Sequence, residues 1–265
     1  MEQLCRKINM PEEVTQVMVE LHRTLEVYPC LEKLMQEQTW AEGLEQLKES
    51  LGEDPGGMKR LCTMLRCALK IKAEYDRLGI SEEIYVDTMG AFSRFVREHM
   101  ESYGRYGFDR GSWTPRQVSA KLFRIGQMEY EMTQLEGEPI ISLHIPTDVD
   151  LRPDVLRPSM RKGLAEFYRL FPEFVGRKVY CHSWLMSPQL REFLPEGSNI
   201  LKFQEMFDME PGGTPGNGVL LWVFKNPKLP LEEMPENTSL QRKLKRFLLD
   251  GGQFLEGRGF LRLPL

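Results

Sequence analysis

Three things are scarce in this chain of 265 residues. Cysteine is one: there are five, at 5, 30, 62, 67 and 181, with no Cys-x-x-Cys spacing. An odd, sparse set does not make a disulfide framework, and reduced, buried thiols are expected. Long apolar runs are another. The longest continuous one, 219–224, has six residues, against the roughly 20 that a spanning helix needs. Residues 1–10 carry no apolar core of the signal-peptide kind, so the sequence points to the cytoplasm. The third is charge of one sign. Lys plus Arg total 35 and Asp plus Glu total 39, a net charge of 35 − 39 = −4. That balance lacks the basic footprint of a nucleic-acid binder and gives no attraction to anionic membrane. Small molecules are the expected partners; a protein partner is left unnamed.

Known chemical fingerprints are missing too. No G-x-x-x-x-G-K-[ST] and no G-x-G-x-x-G after a strand occur, so nucleotide-fold signatures are absent. The run Gly212-Gly213-Thr214-Pro215-Gly216-Asn217-Gly218 precedes a strand-like segment rather than a helix. It therefore reads as a turn, without the helix N-terminus that binds phosphate. His22, His99, His144 and His182 show no H-x-x-x-H spacing, and no cysteine pair has finger spacing. A metal is not expected. His99 lies in an apolar stripe and reads as a hydrogen-bonded core residue.

What is present changes character near residue 110. Before it the chain reads as helices. Pro11 with Glu12 and Glu13 suits a helix start. Residues 39–51 and 58–78 carry apolar residues at helical spacing, separated by a Gly/Pro break at 52–57. Ser81-Glu82-Glu83 reads as the cap of the next helix. After it the pattern alternates strand, helix and turn: strands over 122–132, 139–145, 178–186, 199–209 and 219–224, helices over 159–171 and 240–249, and a last short strand within 254–263. The fold class is α+β: an all-α N-terminal domain, 1–110, followed by a mixed α/β domain, 111–265.

Candidate chemistry sits in the second domain. Cys181-His182-Ser183 invites a nucleophile reading, but neighbours on a strand point to opposite faces, which separates thiol, imidazole and hydroxyl. His182 alone, on a strand expected to be central, is the better candidate. The loop 147–157 and the helix start after it gather Arg157, Ser159, Arg161 and Lys162 just beyond a strand end. A helix N-terminus with cations there suits a diphosphate.

Several segments in fixed order resemble one family. They are Leu122-Phe123-Arg124-Ile125-Gly126, Ser142-Leu143-His144-Ile145-Pro146 and Cys181-His182-Ser183-Trp184-Leu185. Ser198-Asn199-Ile200 with Phe203-Gln204, then Thr238-Ser239-Leu240-Gln241 and Gly257-Arg258-Gly259, complete the set. The chain resembles bacterial acyltransferase-like proteins with a helical N-terminal domain and a C-terminal domain similar to the GNAT (N-acetyltransferase) fold. The resemblance implies a GNAT-like acyl-CoA-dependent N-acyltransferase, with acetyl-CoA or another acyl-CoA as donor, an amine as acceptor and no metal. It implies that the backbone of Leu143, His144 and Ile145 bonds the pantetheine arm. Arg157, Ser159, Met160 and Arg161 would meet the diphosphate. The strand carrying His182 would splay away to open the thioester slot. Direct attack by the amine needs a base. His182 is first choice because imidazole titrates near neutrality, and Glu129 and Glu131 come next. The loop lacks the family's usual [QR]-x-x-G-x-[GA] glycines. A second reading therefore stands beside the first: a GNAT-derived, non-catalytic binding or regulatory protein.

Overall fold

The computed structural model describes residues 1–26 and 28–265. It divides into two compact units, Met1–Ile125 and Gly126–Leu265. Together they are α+β, a helical unit followed by a mixed one.

The first unit is built from α1 (Glu2–Lys7), α2 (Glu12–Thr24), α3 (Leu31–Leu34), α4 (Trp40–Leu51), α5 (Met58–Arg77) and α6 (Glu82–Tyr103). Local signals set these bounds. Pro11 is the N-cap of α2, and the Ser81 hydroxyl accepts from the Ile84 N–H at 3.2 Å to open α6. Asp54, in the Gly/Pro break, accepts from the N–H groups of Lys59 and Arg60, both at 3.0 Å, and caps α5. Met18, Leu61, Leu65, Met89, Phe92 and Val96 are fully buried. Arg66 is buried at the C-terminal end of α2. It donates to the carbonyls of Glu26 and Leu25 at 2.7 Å each and of His22 at 3.0 Å. A cation there answers the unpaired carbonyls of the last turn. His99 is a buried residue whose Nδ1 meets the Arg105 carbonyl at 2.8 Å, as the apolar stripe implied.

The unit extends past the expected boundary at 110. A short helix, α7 (Pro115–Val118), packs on α5, and β1 (Leu122–Ile125) packs on α6. Tyr75 donates to the Gln117 carbonyl at 2.9 Å, and Thr88 Oγ1 accepts from the Arg124 N–H at 2.9 Å. These bonds tie 111–125 to the helices, so the compact units meet at 125/126.

The second unit carries β2 (Met128–Leu135), β3 (Glu138–His144), α8 (Pro153–Leu170), β4 (Val179–Ser183), α9 (Leu190–Phe193), α10 (Asn199–Gln204), β5 (Phe207–Met209), β6 (Thr214–Pro215), α11 (Ser239–Leu249) and β7 (Leu255–Leu261). Its strands run in the order β2-β3-β4-β7-β5, with β6 on β7. The pair β3–β4 is parallel; β2–β3, β4–β7, β5–β7 and β6–β7 are antiparallel. Met128, Tyr130, Ile141, Leu143, Val179 and Cys181 are buried on one face. The Tyr130 ring lies 5.9 Å from Phe167 of α8, which covers that side.

Several expectations are corrected. The strand over 122–132 is two, separated by Gly126 and Gln127; Gly126 has φ +65°, which ends an extended run. The helix read as 159–171 starts at Pro153 and ends at Leu170. Proline suits a first helical position, and the second proline, Pro158, is carried on an exposed face inside the helix. The strand over 178–186 stops at Ser183, and Trp184–Met186 is a 3₁₀ turn. Residues 199–209 form α10 and then β5. Ser198 accepts from the Leu201 N–H at 3.3 Å, a helix cap in a segment read as strand. Residues 219–224 are not a strand. Val219–Val223 is a single π-helical turn in which the Phe224 N–H bonds the Val219 carbonyl at 3.2 Å. An i→i+5 turn returns to the same side after five residues, so Val219 and Phe224 both enter one core.

Candidate functional site

The sheet of the second unit opens between β3 and β4. The Ile141 N–H bonds the Lys178 carbonyl at 3.0 Å, and the ladder runs through Ile141–Val179 and Ser142–Tyr180. Both strands continue, to His144 and to Ser183, yet among the described residues no further pair forms between them. A parted parallel pair presents a strand edge inside a sheet, where an extended ligand chain can lie along backbone. Leu143, His144 and Ile145 occupy that edge on the β3 side.

Register fixes which side chains flank the opening. Successive residues alternate faces. Ser142 stands opposite Tyr180, so His144 and His182, each two residues on, share a face on either side of the opening. Glu129 pairs with His144 and Glu131 with Ser142, which adds both carboxylates to that face. From β7, Arg258 pairs with His182 and Glu256 lies two residues before it.

Each histidine has a carboxylate. His144 Nε2 is 2.7 Å from Glu131 Oε2. His182 Nε2 is 3.1 Å from Thr214 Oγ1 and 3.9 Å from Glu256 Oε2. The His182 side chain is 40% exposed, while Glu129 and Glu131 are only 3% and 8% exposed. Of the two imidazoles His182 is the more exposed, 40% against 21% for His144. Glu256 is held in turn: its Oε1 accepts from the Gly218 N–H at 2.8 Å. A Cβ on Gly216 or Gly218 would come within 2.3 or 2.6 Å of that oxygen. The glycine run that reads as a simple turn is a collar around a carboxylate, and it delivers Thr214 to His182.

Thr214 and Glu256 were missed by sequence reasoning. Their signal is faint: Glu256 immediately precedes the Gly257-Arg258-Gly259 motif, and Thr214 sits inside the glycine run. Cys181, by contrast, points to the other face and is fully buried, and burial pushes its thiol up to about 12. It is unsuited to act as a nucleophile, because thiolate is the reactive form.

The expected diphosphate residues do not lie together at a helix N-terminus, because α8 begins at Pro153. Arg157 and Arg161 are both exposed and lie four residues apart on α8, so they share a face. Arg161 Nε donates to the Leu265 carbonyl oxygen at 3.2 Å. The Ser159 hydroxyl is 3.0 Å from the Gln127 N–H, from which it accepts, and the Met160 side chain is fully buried. The glycine-free loop is organised by side chains. Gln127 Oε1 accepts from the Asp150 N–H at 2.8 Å. Arg152 donates to both Asp150 oxygens, at 2.9 and 2.6 Å from Nε and Nη2 to Oδ2 and 3.1 Å from Nε to Oδ1. That guanidinium holds the Asp150 carboxyl below its ordinary range. Among the described residues, no three His, Cys, Asp or Glu side chains gather as a metal site, and no helix is long and apolar enough to cross a membrane.

A helical unit is thus followed by a strand–loop–helix–strand unit whose parallel pair parts at its C-terminal ends. Residues 1–120 match the profile of the N-acyltransferase N-terminal domain and residues 122–261 that of the GNAT-like C-terminal domain. The chain belongs to this family of GNAT-like proteins. Among solved structures it is similar to an acyltransferase in complex with decanoyl-CoA and teicoplanin, at 26% identity and a TM-score of 0.80 over 99% of this chain and 87% of that one. It is also similar to an acyltransferase in complex with CoA and 10C-teicoplanin, at 25% identity and 0.80 over the same shares. A third, an acyltransferase in complex with decanoyl-CoA, is 23% identical with a TM-score of 0.77 and shows the fold. No curated protein matches the chain.

Proposed function

We propose that the protein is an acyl-CoA-dependent N-acyltransferase that moves an acetyl or longer acyl group to an amine acceptor. The observation that carries this reading is the parting of β3 from β4 with His182, the exposed imidazole, beside it. In this reading the backbone of Leu143–Ile145 bonds the pantetheine arm, as an added strand would. Arg157 and Arg161 take the phosphates. Ser159 and Met160 support that helix face from within. The crystallised neighbours with acyl-CoA and a glycopeptide agree with a CoA donor and a small-molecule acceptor. Five buried cysteines without a disulfide suit the cytoplasm.

The chemistry is direct transfer. The acceptor nitrogen forms a bond to the thioester carbonyl carbon, His182 takes the nitrogen's proton, the carbon–sulfur bond breaks to release CoA thiolate, and the thiolate takes up that proton to leave CoA and a neutral imidazole. Thr214 and Glu256, both at Nε2, orient the ring, and Glu256 favours the imidazolium that forms. Glu131 supports His144 across the opening, and buried Glu129 lies beside it. A thermal-shift titration with CoA, acetyl-CoA and decanoyl-CoA tests the reading. A ligand of the native state at a hundred times its Kd adds about 2.7 kcal/mol of stability. The expected result is a dose-dependent rise that Arg157→Ala and Arg161→Ala weaken. A flat response to all three ligands would overturn it.

A further inference from the structure

The face of the sheet that carries His182 continues past it as a ledge that the reaction as described does not use. Two residues back along the chain stands Tyr180, and two further back, just before β4, stands Lys178. Alternation puts all three side chains on one face, and each step of two residues is about 7 Å. β7 adds Arg258 opposite His182 and Phe260 opposite Tyr180. The intervening Val179 and Cys181 are buried on the other face.

The ledge is open and partly aromatic. His182, Lys178 and Arg258 are exposed, and Tyr180 and Phe260 are half-buried. The two rings lie 5.5 Å apart at 51° to each other. A third ring laid on such a pair makes the tilted contacts that aromatic groups prefer. The charged groups around the pair are largely spent on one another. Arg258 Nε is 2.5 Å from Glu210 Oε2, and Arg262 Nε is 3.4 Å from Asp208 Oδ1. Lys178 differs. Its Nζ sits 4.9 Å from the centre of the Phe260 ring, and no carboxylate among the described residues pairs with it. A ligand lying from His182 toward Lys178 therefore meets a base, then a pair of rings, then a cation without a counter-ion. A sugar needs hydrogen-bonding side chains along that path, and the carboxylates and guanidinium groups there are already engaged.

We infer that this ledge binds the acceptor, and that the acceptor is a primary amine on a short arm of an aromatic ring, with an anionic group on the ring's far side. The amine stands at His182, the ring on Tyr180 and Phe260, and the anion at Lys178. The inference rests on the acyl-transfer reading above and adds the class of acceptor. Tyr180, Phe260 and Lys178 set specificity and take no part in the proton transfer.

Steady-state acyl transfer by the whole protein, read as CoA released from acetyl-CoA, octanoyl-CoA or decanoyl-CoA, tests the inference. The acceptors are para-carboxyphenethylamine, phenethylamine, cyclohexylethylamine and glucosamine. Phenethylamine is expected to show a kcat/KM about tenfold above those of cyclohexylethylamine and glucosamine. The para-carboxylate should add about fivefold, an advantage that shrinks as salt is raised and disappears in Lys178→Gln. Phe260→Leu and Tyr180→Leu should raise KM for the aryl amines about five- to tenfold, with kcat within about twofold and CoA affinity unchanged. Tyr180→Phe should keep the ring preference. The amine series runs on the unmodified protein, so its result stands even where a variant does not fold. Equal kcat/KM for phenyl and cyclohexyl amines, a preference for glucosamine, or CoA binding with transfer to neither aryl amine would each overturn the acceptor assignment and leave the acyl-CoA reading intact. Failure to bind any CoA compound would overturn both.

Discussion

Two sets of polar groups, one in each unit, end on different partners. In the helical unit, Arg66, Tyr75, Tyr85 and His99 end on backbone carbonyls. In the sheet unit, His144 and His182 end on carboxylates and a hydroxyl. A backbone carbonyl only accepts, so it fixes the atom that meets it as a donor. An ionised carboxylate likewise only accepts, whereas a hydroxyl can donate or accept. Exposure separates them further, since His99 is buried and the His182 side chain is 40% exposed.

Four experiments press on this contrast. The sharpest exchanges two histidines. His182→Ala is expected to lower the rate of acyl transfer about a hundred- to ten-thousandfold and to leave the melting midpoint unchanged. His99→Ala should instead cost about 1–3 kcal/mol of stability. Rate assays beside thermal melts decide it, and a stable, fully active His182→Ala protein would remove the contrast. Next comes Arg66→Ala, which strips a buried cation from the carbonyls at the end of α2. The expected cost is about 3 kcal/mol in urea unfolding. Arg66→Lys should recover only part of it, because one ammonium cannot span the carbonyls that the guanidinium fork reaches from two nitrogens.

Glu256→Gln probes orientation rather than presence of the base. It is expected to lower kcat/KM about tenfold, or about 1.4 kcal/mol of transition-state stabilisation, with the fold unaltered. An unchanged kcat/KM would mean that Thr214 alone holds the ring. The smallest effect concerns the one feature the units share. Cys67 in the first and Cys181 in the second are both buried, with thiols pushed up to about 12. The native protein should therefore resist alkylation near about pH 8, where thiolate is needed. The unfolded thiols ionise near the ordinary value of 9.0 and the folded ones near 12. Between those values the unfolded state holds fewer protons, so stability falls as pH rises from 9 toward 12 and is full below 9. Mass spectrometry of alkylated protein and melts across that range check both statements.

The sequence was most legible where structure is local. Ser81 announces α6 by a side-chain bond three residues long, and the spacing of Trp40 to Leu51 is that of one helix face. It was least legible where distant pairing decides. Segment 219–224 has the composition of a buried strand, but Val219 and Phe224 both belong to a core around Leu244 and Phe254, and a π turn satisfies that where a strand would split them. Ser198 is as good a cap as Ser81, yet apolar residues after it suggested a strand. Among the candidate residues, His182 stood out in the sequence because it lies on a strand among recognisable neighbours. Thr214 and Glu256 did not, because only the register of β6 on β7 brings them to it. Arg157 and Arg161 emerged with a different address: on the flank of α8 rather than at its tip.

The position of β7 has a consequence for how the molecule is made. This strand is the last of the second unit in sequence but an inner one in the sheet, lying between β4 and β5 and carrying β6 as well. The helical unit has all of its chain once residue 125 has emerged from the ribosome. The sheet unit must wait for residues 255–261, holding β4 and the segments that form β5 and β6 without their partner until then. Synthesis therefore yields a finished first half attached to an open sheet, and closure of the second half is a late step that joins strands far apart in the chain, the kind of step that is slow.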